Sequence, residues 1–116
     1  MRALALIPAL VALFAGPASA QIACTPLEAF IVQQVEPVQR AGIPVLTITN
    51  AWEVGRYLEV VNRQPPETNV TAEALIIGVA ANMAVVALVD RGHVCAVFQL
   101  QISVHNDALL AAKRGA

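Results

Sequence analysis

Hydrophobic positions recur with two periods along this chain, and the changes between them divide it into elements. After a Thr25, Pro26, Glu28 sequence that suits a helix start, with Thr25 as cap and Glu28 completing a capping box, Leu27, Phe30, Ile31, Val35 and Val38 recur at helical spacing. Gln33, Gln34, Glu36, Gln39 and Arg40 fill the opposite side. Pro37 has no N–H for the helical ladder, so the helix is expected to kink or stop near Glu36, and Gly42 and Pro44 close the unit. Residues 45–49 are β-branched and alternating, which predicts a strand. Asn50 then caps a second helix with Glu53 three residues on, and Ala51, Val54, Leu58 and Val61 line its apolar face. Glu53 with Arg56, and Glu59 with Arg63, are expected surface pairs.

From residue 74 to residue 89 the only polar side chain is Asn82. The run is shorter than the roughly 20 residues a membrane span needs, so it reads as two buried strands, or as a helical turn and a strand, with a turn near Ala81 and Asn82. Residues 73–82 fit either form. Asp90, Arg91, Gly92 and His93 make a hairpin turn in which Gly92 supplies a positive φ. Beyond it, Val94, Ala96, Phe98, Leu100 and Ile102 alternate with Cys95, Val97, Gln99, Gln101 and Ser103, predicting a long strand with one packed face. His105 or Asn106 then caps a short helix through Lys113. The fold class that follows is α+β: a small, mainly antiparallel sheet with helices packed on one face.

The N-terminus has a different character. Arg2 precedes an uncharged apolar run, Gly16 and Pro17 break it, and Ala18, Ser19 and Ala20 form a small-residue cleavage pattern. Residues 1–20 are expected to be a signal peptide and residues 21–116 a single small domain, exported to the periplasm or secreted. Gln21 stands where a lipobox wants a Leu-like residue three before Cys24, so lipidation is not expected. Cys24 and Cys95 are the only cysteines. In an oxidising compartment they are expected to form a disulfide, worth about 4 kcal/mol through closure of a long loop.

Composition narrows the function. The chain is 58% hydrophobic with a formal net charge of −1. It is too apolar for disorder and lacks the basic excess of a nucleic-acid binder. Ser103 is the one serine after residue 20 and no G-x-S-x-G surrounds it, so serine catalysis with His93 or His105 is not expected. Asp90 with His93, and His105 with Asp107, offer two half-sites for a metal, but a strand between the histidines holds them apart. Glu28, Glu36, Glu53, Glu59, Glu67 and Glu73 are scattered, and no phosphate loop or dinucleotide fingerprint occurs. No catalytic, cofactor-binding or metal residue is therefore assigned, and no cofactor is expected. Asn69, Val70 and Thr71 match the N-glycosylation pattern.

The expected function is that of a small exported non-enzymatic accessory or binding protein, with an unknown protein or small molecule as partner. The alternatives are a carboxylate-based hydrolase and a homodimeric structural or interaction protein. The face carrying Val97, Gln99 and Gln101 is a contact surface to consider, although a solvated face, or one covered by the N-terminal segment, fits the pattern better.

Overall fold

The computed structural model describes residues 19–64 and 69–114, with side chains from Cys24 onward. The elements are β1 (Ser19–Pro26), a first helix α1 over residues 27–40, β2 (Val45–Ile48), α2 (Ala51–Asn62), β3 (Ala74–Val79), β4 (Met83–Asp90), β5 (His93–Gln101) and α3 (Ile102–Arg114). The five strands form one antiparallel sheet in the order β1-β5-β4-β3-β2. The fold is α+β, and residues 74–79 are strand.

The helices divide between the faces. α2 and α3 cover one, where Val54, Tyr57, Leu58, Val61, Ala108 and Ala112 pack on Ile48, Leu75, Ile77, Ala84, Val86, Phe98 and Leu100. α1 lies alone on the other, with Phe30 buried against Ile76, Ala87, Val89, Val94 and Val97. The sequence reading placed the helices on a single face; the order of the strands puts α1 on the second. Strands β1 and β2 follow one another in the chain yet occupy opposite edges, so their connection crosses the sheet. A helix of this length spans about 21 Å, against about 19 Å for four inter-strand gaps.

Pro37 does not stop α1. The helix begins as Leu27–Phe30, widens to a π turn over Ile31–Val35 and resumes as Glu36–Arg40. Across the π turn the Glu36 N–H reaches the Ile31 carbonyl, five residues back. Pro37 cannot donate to the ladder and its ring crowds the carbonyl four residues earlier; widening the preceding turn relieves that crowding. Gly42, at φ 87°, ends the helix, with the Ile43 N–H on the Val38 carbonyl (3.2 Å) and the Gly42 N–H on the Gln39 carbonyl (3.0 Å), the two bonds of a Schellman motif. At the start, Pro26 and not Thr25 is the N-cap residue and no side chain caps it. The Leu27 N–H instead donates to the Gly92 carbonyl (2.8 Å).

In α2 the expected cap forms, Asn50 Oδ1 accepting from the Glu53 N–H (3.1 Å). The expected ion pairs do not: Arg56 bonds Glu59 at 2.9 Å and its guanidinium lies 5.6 Å from the Trp52 ring centroid, while Glu36 and Arg40 meet at 4.0 Å on α1. The Asn62 side chain bonds the Val70 backbone twice, accepting from its N–H (2.9 Å) and donating to its carbonyl (3.1 Å). The hairpin after β4 turns through Arg91 (φ 54°) and Gly92 (φ 75°), the two positive φ values of a type I′ turn.

β5 breaks its alternation once. Val94 pairs with Val89 and Ala96 with Leu88, so Cys95 is an extra residue in the ladder. That bulge turns Val94 onto the α1 face, where it joins Val97. Opposite, β1 loses register between Gln21 and Thr25. Cys24 and Cys95 both fall in this interrupted stretch and are joined by a disulfide across 71 positions of chain. The strand ends at Gln101, earlier than the alternation predicts, and α3 starts at Ile102, whose N–H donates to the Asn82 carbonyl (3.3 Å). His105 is therefore inside the helix rather than its cap. Replacing both cysteines by serine is expected to lower stability by about 2–4 kcal/mol, measured by denaturant unfolding of the oxidised protein and the double variant.

Candidate functional site

A concavity lies between α1 and the sheet face beneath it. Val45 on β2, Ile76 and Gly78 on β3, Met83, Val85 and Ala87 on β4 and Val97 on β5 form its floor; Phe30, Gln34, Val35 and Val38 form its roof, with Ile43 and Ala80 at the margin. Its volume is about 80 Å³. One water needs roughly 15 Å³ and two to four polar partners, so the space holds far more than a water while offering a single polar side chain, Gln34.

Two local features open this cleft. The first is small residues on the floor. Gly78 sits in a strand at ordinary φ, so its backbone does not require glycine; a Cβ there would meet only Val38 Cγ1, at 3.9 Å. Glycine inside a strand marks a place where another group approaches the sheet. The second is the π turn. A turn closed over five residues instead of four moves every later side chain around the helix axis. Gln34, seven residues after Leu27 and four after Phe30, lies on their side of the helix and is half-buried over the cleft, while apolar Val32, on the opposite side, is 57% exposed.

The lining is almost wholly apolar. It carries no carboxylate, imidazole, hydroxyl, thiol or cationic group. Such a surface favours ligands that bring apolar area out of water.

The described residues with acid–base chemistry lie elsewhere. Glu36 and Glu59 are in ion pairs with arginines, Glu73 accepts from the Arg91 N–H (3.2 Å), and Glu28 is exposed; Glu67 falls outside the described residues. His93, exposed at the start of β5, contacts the Arg91 carbonyl through Nδ1 (3.0 Å). His105 lies beyond the far end of that strand, so Asp90 and His93 do not meet His105 and Asp107. Among the described residues no three His, Cys, Asp or Glu side chains cluster as metal ligands. Ser103 is exposed on α3 while His105 is buried. On the face considered for contacts, Val97 is buried under α1, Gln99 is half-buried and Gln101 is exposed.

One polar pair is missing from the sequence reading. Tyr57 of α2 and His105 of α3 are 0% and 2% exposed, and the phenol oxygen lies 2.8 Å from His105 Nδ1. Burial raises the Tyr57 pKa and lowers that of His105, because each charged form would have to be desolvated. Both groups are thus held neutral; we assign the phenol as donor to the Nε2–H tautomer of the imidazole. The signal was present in part: Tyr57 falls three residues after Val54 on the apolar stripe of α2. Its partner is concealed by a strand pattern that continues through Ser103.

Comparison with known proteins adds no relative: no family model, curated protein or solved structure matches the chain.

The Tyr57–His105 pair makes stability depend on pH. His105 has a lower pKa folded than unfolded, so the unfolded chain takes up its proton first. Its contribution is complete above the unfolded value of about 6.5 and declines as pH falls from there towards the folded value. The melting temperature is expected to fall below about pH 6.5, with a shallower fall in His105→Gln. Tyr57→Phe is expected to cost about 1–3 kcal/mol at neutral pH by leaving Nδ1 unpaired, measured by denaturant unfolding.

Proposed function

We propose that this chain is a small exported binding protein, periplasmic or secreted and without a catalytic role, that holds a small apolar ligand in the cleft between α1 and the sheet. The observation that carries the reading is the lining itself: aliphatic and aromatic side chains around a space opened by Gly78, with Gln34 as the one polar side chain. The ligand class that suits a volume of about 80 Å³ is a short alkyl chain or a single ring, or a molecule ending in one. Gln34 offers an amide to a polar end. Export rests on the leader pattern of residues 1–20 and agrees with the Cys24–Cys95 disulfide, a bond that persists in oxidising compartments. Among the described residues no helix is long and apolar enough to cross a membrane.

A carboxylate-based hydrolase finds no comparable support, since no carboxylate lines the cleft.

The test is a titration with short-chain alkyl amphiphiles and single-ring aromatics, followed by calorimetry and by chemical-shift changes at Ile76, Val85 and Val97. Saturable binding is expected at these positions. Gly78→Val, which fills the space beside Val38, is expected to fold with unchanged or higher stability and to bind at least about fifteenfold more weakly, the equivalent of two methylenes kept out of the cleft. Absence of saturable binding, or equal binding by Gly78→Val, overturns the reading.

A further inference from the structure

We propose that removal of residues 1–20 uncovers the outer edge of β5, and that two mature chains pair there, β5 against β5, into one continuous antiparallel sheet. This rests on the leader reading above and on the register of the two ladders flanking β5. On its inner side, β5 is paired by β4 as far as Met83 opposite Gln101. On its outer side, the pairs opposite Phe98 and Val97 are supplied by Ser19 and Ala20. Cleavage after Ala20 removes both, so the last outer pair of the mature chain is Gln21 with Ala96. The rest of β1 cannot slide along to replace them, because the Cys24–Cys95 disulfide pins it at the other end of β5.

The uncovered stretch, residues 97–101, reads Val-Phe-Gln-Leu-Gln. It has none of the usual protections of a free edge: no charge, no proline, and no bulge, the irregularities lying back at Cys24 and Cys95. Its pattern is also self-complementary at the three central positions, Phe98, Gln99 and Leu100. A two-fold axis through Gln99 sets Phe98 opposite Leu100 of the second copy, on the face that α2 and α3 cover, and Gln99 opposite its own equivalent on the other face. Apolar meets apolar on the first face and amide meets amide at the axis, as cross-strand pairing favours, while the same register sets Val97 opposite Gln101 on either side of the Gln99 pair. A second copy is thus the occupant that this edge fits.

The experiment uses the exported product and the same chain produced from Gln21 with its disulfide formed, examined by light scattering and sedimentation over a concentration series. A mass that doubles with concentration is expected, together with slowed amide exchange at residues 97–101 on association. Gln99→Lys places two ammonium groups across the axis and is expected to remain monomeric, with the melting temperature that the unsubstituted mature chain has when dilute enough to be monomeric; Gln101→Lys, at an exposed position, is expected to weaken association. A chain from Gln21 that stays monomeric throughout overturns the proposal, as does a dimer that forms equally well in Gln99→Lys with fast exchange at the edge. The mass of the exported product separately reports where cleavage occurs, so failure of the leader reading is distinguishable from failure of the pairing.

Discussion

Two strands consecutive in the chain lie at opposite edges of a five-stranded sheet, and much else in this molecule follows from the distance between them. The link has to cross one whole face, and a helix of fourteen residues barely reaches. It is fastened at both ends, by the disulfide and the Gly92 carbonyl at its start and by the Schellman turn at Gly42 at its end. A strap held at both ends has little freedom to settle onto the surface below it. Where that surface carries Gly78 and Ala87 instead of larger side chains, space remains.

The two faces of the sheet thereby take different roles. Under α2 and α3 lies the larger buried apolar cluster, and the polar groups buried there, Tyr57 and His105, bond one another. An unpaired polar group in that position would be costly. Under α1 a single helix with a π turn covers the sheet incompletely. The face that carries most of the core is separate from the face that offers room, so a change such as filling the Gly78 space leaves the larger apolar cluster untouched.

Strands and turns were the most legible part of the fold. Alternation in residues 45–49, the turn near Asn82, the Arg91–Gly92 hairpin and the Asn50 cap all follow from local chemistry, and the structure has each. Other features depend on tertiary context. The side of the sheet taken by α1 is decided by strand order, which no local pattern encodes. Pro37 signals a disturbed helix, but whether the chain breaks or widens depends on the pull of Phe30 and Val38 towards the sheet on either side of it. Residues 102–103 prolong the alternation of β5, and only the burial of Ala108, Ala112 and His105 against α2 and the sheet explains why they turn helical. The cleft was hidden for a related reason: its lining comes from four strands and a helix, and Gly78 alone hinted at it.

The double bond from the Asn62 side chain to the Val70 backbone has a consequence of its own. A primary amide that donates and accepts on one residue imitates a strand neighbour, and here it fastens the end of α2 to the approach to β3. Two positions eight residues apart in the chain are thereby held side by side, so drawing the end of α2 away from the approach to β3 requires both bonds to break together.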